Sequence, residues 1–362
     1  MLKIALVRGK YLNNYEGQNY CLNKKNFSIT AVASKNPIDS NLKIPVVNLP
    51  SLADLNFPNL KFIANRTLGD PQILFGLEKL ASKFDIFHTA DPHYYYSYQL
   101  ARLRSQGKIK HLIVTSWETI PFNNESVEKK MFIKRFTQKW ADLFICYTKK
   151  AKKALIQEGI DERRIVVIRL GVDLSKFKFT GSLLRVKKQI IILFVGRLVK
   201  EKGVDDLREA YKNVKSSLFS RLSRDSREKQ ISNLKLKIIK AGDKSYNEMP
   251  KVYREADIFV LPSKKNKTWE EQYGMVLIEA MASGLPIIAY DSGAIPEVVD
   301  EVGIIVKQGD VKELQKQILR LVNDKNLRLK LGRMGRERAK KEFDCKKTAK
   351  KIEAIYRNIS NT

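Results

Sequence analysis

Short apolar runs alternate with longer amphipathic stretches along most of the chain. In the first half, Lys3–Val7, Ile29–Ala33, Lys61–Ala64, Ile86–Thr89, His111–Thr115, Leu143–Tyr147 and Ile165–Ile168 read as strands. Helical periodicity falls between them over Pro71–Lys83, Tyr94–Gln106 and the strongly basic Ser126–Lys139. Strands that are apolar at nearly every position are buried on both faces. With helices between them, they predict a parallel sheet wound on both sides. The pattern breaks in a polar, basic connector, LSKFKFTGSLLRVKKQ, at residues 174–189, and then restarts. Strands follow at Ile190–Val195, Lys235–Lys240, Ile258–Leu261, Pro286–Tyr290 and Gly303–Val306, with helices at Gly203–Val214, Met249–Glu255, Met275–Ala282 and Val311–Val322. Asn326–Ile359 reads as two helices with Arg and Lys outward, and the Ser/Arg/Lys-rich Ser216–Asn233 as a solvated insertion or, less readily, a membrane- or partner-facing element.

The expected fold class is therefore α/β, with two doubly wound Rossmann-like domains facing a cleft. The expected boundaries are 1–174 and 175–345, with a C-terminal helix at 346–362 that can pack back on the first domain. Ligands of such folds bind at the carboxyl ends of the strands.

A length of 362 residues agrees with two domains. Lys+Arg outnumber Asp+Glu by 68 to 39, a surplus of 29. Divided after residue 175, the counts are 27 to 15 and 41 to 24, so the surplus is no detachable tail. It suits anionic partners (nucleic acid, an acidic membrane surface, phosphorylated small molecules), although general solvation by lysine gives the same balance. The three cysteines are isolated, which argues for a reducing compartment and against a disulfide or zinc framework. No apolar run approaches the roughly 20 residues that cross a bilayer, and MLKIALVRGK reads as a strand. The expectation is a cytoplasmic protein without a metal site.

Two stretches carry the chemistry. In WEEQYGMVLIEAMASGLPIIAYDSGAIPEVV, residues 269–299, Gly274 opens a turn before a helix, and Gly284 with Pro286 closes it. On one continuous helix Glu271 and Glu279 would lie roughly 80° out of register. With Glu271 in the preceding loop and Glu279 on the inward face, both carboxylates can accept from a polyhydroxyl ligand. The alternative is a surface helix with two solvated glutamates. In LFVGRLVKEKGVDDL, residues 193–207, a buried strand ends at Gly196, and Arg197 and Lys202 precede a helix. A planar fork and a mobile point charge suit a diphosphate, or simply make a basic turn.

Taken together, these stretches resemble the retaining glycosyltransferases of family 4, with two-domain GT-B architecture. The matching features are Gly196-Arg197-Leu198 with Lys202-Gly203; Ala256-Asp257 through Pro262-Ser263; Glu271-x-Tyr273-Gly274-x4-Glu279, the E-x7-E motif, continuing to Gly284 and Pro286; and Gly293-x3-Glu297. Gly171-Val172-Asp173 sits where that family ends its first domain. The resemblance implies an N-terminal acceptor-side domain and a C-terminal nucleotide-sugar donor domain. It implies that Arg197 and Lys202 hold the donor diphosphate, Glu271 contacts the transferred sugar, and Glu279 contacts the ribose. Gly196, Gly274 and Gly293 would shape the donor site, with Glu297 bracing the last turn. The implied reaction moves a hexose from a nucleotide-diphosphate sugar to a lipid-linked, polysaccharide or other glycan acceptor, with no cofactor and no required metal.

The first half departs from that pattern. Asp85-Ile86-Phe87-His88 resembles the family's strand end, but Ala90 stands where many members carry a second histidine, and His93 is out of register. Trp117, followed by Glu118, replaces another family histidine; an indole cannot shuttle a proton at neutral pH but can stack on a sugar. Gly17, in Glu16-Gly17-Gln18-Asn19, occupies the place of an acceptor or phosphate loop, and Gly9 is of the same kind. The run from Gly242 to Tyr253 is short, which leaves the base unreadable. Gly17, His88, Trp117 and Glu118 are the candidate acceptor or sugar contacts, although His88 reads first as a structural residue at its strand end and Trp117 equally as packed under the cleft. Tyr94–Tyr96, Tyr98 and the basic helix Lys129–Lys139 read first as a solvated amphipathic face, or else as a site for an acceptor or an anionic membrane face, which would make the protein peripheral on an inner membrane face. The rivals are a GT-B epimerase or hydrolase, a non-catalytic sugar-nucleotide binder, and a basic nucleic-acid-binding protein. The last lacks any recognisable nucleic-acid module.

Overall fold

A computed structural model describes residues 1–39, 42–178, 189–221 and 234–361. The chain divides into two compact units: Met1–Leu170 with Cys345–Thr362, and Gly171–Asp344. The divisions fall four residues and one residue before the boundaries expected from sequence.

The first unit holds a seven-stranded, all-parallel sheet. Its strands are β1 (Leu2–Gly9), β2 (Phe27–Ser34), β3 (Val46–Leu49), β4 (Ile86–Ala90), β5 (His111–Ser116), β6 (Leu143–Cys146) and β7 (Ile165–Val167), in the spatial order 3-2-1-4-5-6-7. The core strands pair in register, Ile4 with both Ile29 and Ile86, and β4 is buried at every position. Its helices are α1 (Asn14–Gly17), α2 (Leu60–Thr67), α3 (Tyr95–Ser105), α4 (Glu128–Trp140) and α5 (Lys149–Gln157). Thr148 caps α5 by accepting from the Ala151 N–H at 3.0 Å.

The second unit repeats the theme with β8 (Ile190–Gly196), β9 (Leu234–Lys240), β10 (Ile258–Leu261), β11 (Ile287–Tyr290) and β12 (Ile304–Val306), ordered 12-11-10-8-9 and again parallel. Its helices are α6 (Val204–Arg221), α7 (Met249–Glu255), α8 (Met275–Ala282), α9 (Ile295–Val299), α10 (Val311–Asn323) and α11 (Lys325–Glu342). Asp310 and Asp324 cap α10 and α11 through the N–H groups three residues on. The last helix, α12 (Cys345–Ser360), belongs to the first unit. It buries Cys345, Thr348, Ala349, Ile352 and Tyr356, a one-sided stripe at helical spacing.

Three expectations are corrected. Lys61–Ala64 is helical, inside α2, and of α2 only Ala64 is buried, so its apolar residues mark a surface rather than a strand. Val46–Leu49 is an edge strand the pattern missed, because only one side of it pairs. Pro71–Lys83 forms only a 3-10 segment at Leu77–Lys83. Ser216–Arg221 continues α6, while 222–233 lie outside the described residues, as do 179–188 of the connector. All three cysteines are free thiols. Among the described residues no helix is long and apolar enough to cross a membrane.

Candidate functional site

At the carboxyl end of β8, Gly196 leads to Arg197, which is exposed and ion-pairs with no described residue. A single 3-10 turn, Lys200–Lys202, follows and closes at Gly203 with φ +61°. A Cβ at Gly203 would stand 1.9 Å from the Pro262 carbonyl oxygen, so only glycine lets this turn run against the end of β10. That approach delivers Lys202. Its ammonium lies 2.5 Å from Glu271 Oε2 and 5.2 Å from the centre of the Trp269 ring. Ser263 Oγ, just past β10, donates to the same carboxylate oxygen at 2.9 Å. The Lys202 and Glu271 side chains retain 12% and 11% of their exposure, so the pair is only thinly solvated.

Glu271 sits in the loop before α8, and its backbone is held by the turn after β11. Gly293 has φ +59°, and a Cβ there would meet the Glu271 carbonyl oxygen at 2.1 Å. The Ala294 N–H donates to that same oxygen at 2.8 Å. Gly274, at φ +75°, is the residue from which α8 starts. Glu279 lies on the buried face of α8 and accepts from the Tyr253 hydroxyl at 2.6 Å. Burial raises its carboxyl to about 7, against the opposing hydrogen bonds from Tyr253 and Tyr246. The two glutamates thus have separate partner sets: one pairs with a lysine, the other is held at about 7 among tyrosines. Arg338 braces the end of α9, donating to the carbonyls of Glu297 and Val298 at 2.9 Å each. Between them, Arg197 and Lys202 can neutralise an anion, and Glu271 can accept from a hydroxyl.

The candidates of the first unit are placed differently. His88 is fully buried, its Nδ1 2.7 Å from the Tyr356 hydroxyl and its Nε2 2.7 Å from Thr115 Oγ1. Both ring nitrogens are occupied in the core, and burial lowers its pKa well below the usual imidazole range, which fits the structural strand-end role. Gly17 is buried beneath Leu42, whose Cδ2 stands 2.4 Å from where a Cβ would be; it serves packing. Glu118 is committed to its own loop, accepting from the N–H groups of Thr119 and Ile120 and from the amides of Asn123 and Asn124. Trp117 is half-buried, edge-on to Tyr147 with ring centres 4.3 Å apart.

Sequence reading missed two features here. Arg8, 1% exposed at the end of β1, binds Glu16 at 2.8 Å and the His88 carbonyl and Tyr20 hydroxyl at 3.0 Å each. Tyr147 also donates to Glu16 at 2.8 Å. Asp91, just past β4, has φ +45° and accepts from the Trp117 N–H at 3.0 Å, and burial raises its carboxyl to about 7. The only local signal for either was a charged residue ending an apolar strand.

Residues 175–338 match the family described as Glycosyl transferases group 1, and residues 21–176 match Glycosyltransferase Family 4. An uncharacterized glycosyltransferase of Methanocaldococcus jannaschii is 29% identical over 72% of this chain and 72% of its own length. The capsular polysaccharide biosynthesis glycosyltransferase CapM of Staphylococcus aureus is 28% identical over 59% of this chain and 60% of its own. Among solved structures, Anabaena HepE in complex with UDP superposes with a TM-score of 0.71 at 17% identity, covering 99% of this chain and 100% of that one. At that identity the likeness concerns the fold.

Proposed function

The chain belongs to the family 4 glycosyltransferases of GT-B fold and is a glycosyltransferase, and from that premise we propose that it moves a hexose from a nucleotide-diphosphate sugar to a glycan acceptor with retention of anomeric configuration. The observation that carries this is the Lys202–Glu271 pair, held in place by two glycines that tolerate no side chain. A diphosphate arriving beside Lys202 would share that lysine's charge with Glu271, while the exposed Arg197, which ion-pairs with no described residue, would meet the second phosphate. As the bond from the sugar's anomeric carbon to phosphate breaks, charge grows on the departing oxygen, and preset cations stabilise that charge more than the ground state. Glu271 would meanwhile hold a hydroxyl of the sugar, and Glu279, behind it on α8, a ribose hydroxyl. The positive charge comes from side chains, so the reading requires no divalent metal.

The acceptor is a lipid-linked, polysaccharide or other glycan, in line with the CapM relationship. The UDP complex of HepE makes a uridine donor the first to try. The enzyme would work in the cytoplasm, and a lipid-linked acceptor would bring it to the inner face of a membrane. The test is incubation of UDP-, GDP- and ADP-hexoses with glycan acceptors in EDTA, with the anomeric coupling of the product read by NMR. An α product from an α donor supports the reading, and an inverted product or strict metal dependence removes it. Glu271→Gln should lower turnover roughly ten- to a hundred-fold, the effect of one charge-assisted hydrogen bond.

A further inference from the structure

The segment between β10 and α8, residues 262–274, carries Ser263, Trp269 and Glu271, yet it contains no helix or strand that would hold its shape. It is tied instead at intervals along its length. At its start the Lys264 N–H donates to the Glu201 carbonyl at 2.7 Å, inside the turn that delivers Lys202. The Lys264 ammonium also pairs with Asp206 in the first turn of α6, and the Tyr290 hydroxyl at the end of β11 donates to the same carboxylate at 3.0 Å. Farther on, Asn266 closes a small loop. Its Oδ1 accepts from the N–H groups of Thr268 and Trp269 at 2.9 Å each, while its own N–H donates to the Trp269 carbonyl at 2.8 Å. At the far end the Ala294 N–H holds the Glu271 carbonyl at 2.8 Å.

Between these ties stands Gln308, just past the end of β12. Its side-chain amide pairs with the backbone of Lys265 in both directions: Oε1 accepts from the Lys265 N–H at 2.7 Å, and Nε2 donates to the Lys265 carbonyl at 3.1 Å. One side chain thus does what a neighbouring strand would do, satisfying both polar backbone groups of a residue outside any ladder. The amide is itself anchored. The Gln308 N–H donates to Asp291 Oδ1 at 2.7 Å, and the Asp291 N–H donates to the Val306 carbonyl at 3.0 Å. Asp291 stands two residues before Gly293, in the turn that grips the Glu271 backbone. That turn therefore holds the segment at two points, at Glu271 through Ala294 and at Lys265 through Gln308. Residues 265–268 are exposed, so no packing would replace the second hold if the amide were removed.

We propose that Gln308 is a positioning residue for sugar transfer: its amide fixes the segment that sets Trp269 beside Lys202 and Glu271 where a sugar hydroxyl is held. The inference rests on the proposed donor site. A loosened segment misplaces the groups that meet the transferred sugar, while Arg197 and Lys202, on a different segment, still hold the diphosphate. The experiment compares the full wild-type chain with Gln308→Ala and with Gln308→Met, which keeps the bulk of the side chain without its hydrogen bonds. At a temperature well below the melt, kcat should fall about ten- to a hundredfold in both variants. Affinity for the free nucleoside diphosphate, read by calorimetry, should change by less than about threefold. Because Gln308 acts through Glu271, the double variant Gln308→Ala, Glu271→Gln should stay within about threefold of Glu271→Gln alone, whereas a general structural defect would multiply the two losses. Hydrogen exchange in the unliganded proteins reads the tie without any substrate. Amides of residues 265–271 should exchange about tenfold faster or more in both variants, with those of β10 and β11 unchanged. Equal kcat in all three proteins, multiplied losses in the double variant, or unchanged exchange over 265–271 would each overturn the proposal. Full turnover in Lys202→Ala and Glu271→Gln would instead sink the donor reading, and the exchange rates over 265–271 would still decide whether Gln308 holds the segment.

Discussion

Replacing Gly293 by alanine probes the architecture of the site with the smallest change available. The new methyl carbon would stand 2.1 Å from the Glu271 carbonyl oxygen and 2.8 Å from its amide nitrogen. Contacts below about 3 Å are not sustained, so the Glu271 backbone must retreat by roughly 1 Å, and the 2.8 Å bond from the Ala294 N–H is lost or stretched. A left-handed conformation costs a non-glycine residue about 1–2 kcal/mol, and the hydrogen bond adds about 0.5–1.5 kcal/mol. A destabilisation of about 2–3 kcal/mol should lower the melting temperature of the second unit by about 4–12 °C. The catalytic loss should be larger than stability alone implies. A displacement of about 1 Å in a group that orients the reacting sugar reduces rate on the order of a hundredfold. The assay is kcat/KM for sugar transfer at a temperature well below the melt. The control is Gly309→Ala, also at positive φ, +81°, but with nothing within 4 Å of the added carbon; it should pay only the conformational cost and keep full activity. Equal kcat/KM in wild type and Gly293→Ala would refute the claim that this turn positions Glu271.

Other outcomes follow from the same geometry. Trp269→Leu removes the π face beside Lys202 and should weaken donor binding about two- to thirtyfold, with Trp269→Phe recovering part of it, as read by calorimetry. Glu279 is held near 7 against an ordinary value of 4.5. A raised carboxyl pKa makes folding more favourable at low pH, with that contribution lost as pH rises from about 4.5 through 7. Stability at pH 8 relative to pH 4.5 should therefore improve in Glu279→Gln over wild type, by on the order of 3 kcal/mol in denaturant melts. Arg8→Met strands the buried Glu16 carboxylate and should destabilise the first unit by about 3–5 kcal/mol, seen as an early unfolding transition; a shift below about 1 kcal/mol would show that the ion pair contributes little.

The turns and the helix start of the two chemistry-bearing stretches were legible because their constraints are local. Gly203 and Gly293 are fixed by positive φ and a close backbone approach, Gly274 by its position at a helix start, and Glu271 by standing a few residues ahead of α8. The parallel strands were legible because burial on both faces leaves continuous apolar runs, as β10 and β11 do. The first unit's polar centre was not, because nothing along the chain distinguishes a buried arginine from a solvated one. Arg8 meets Thr115 from 107 residues away, and His88 meets Tyr356 across 268. Helix α2 misled for the opposite reason: Phe62 and Ile63 point to the surface, so the rule that apolar residues go inside returned a strand. Glu118 looked like spare acid chemistry, yet four donors from its own loop take up its oxygens.

The account stands most directly on one titration: binding of a sugar nucleotide by the intact chain and by Lys202→Ala, followed calorimetrically. It predicts saturable binding to wild type, weakened roughly ten- to a hundredfold when the lysine is removed, because one charge-assisted contact to the diphosphate is worth about 1.5–3 kcal/mol. Equal affinity in the two proteins would contradict it, since the donor would then be held without the residue that the Gly203 turn places beside Glu271.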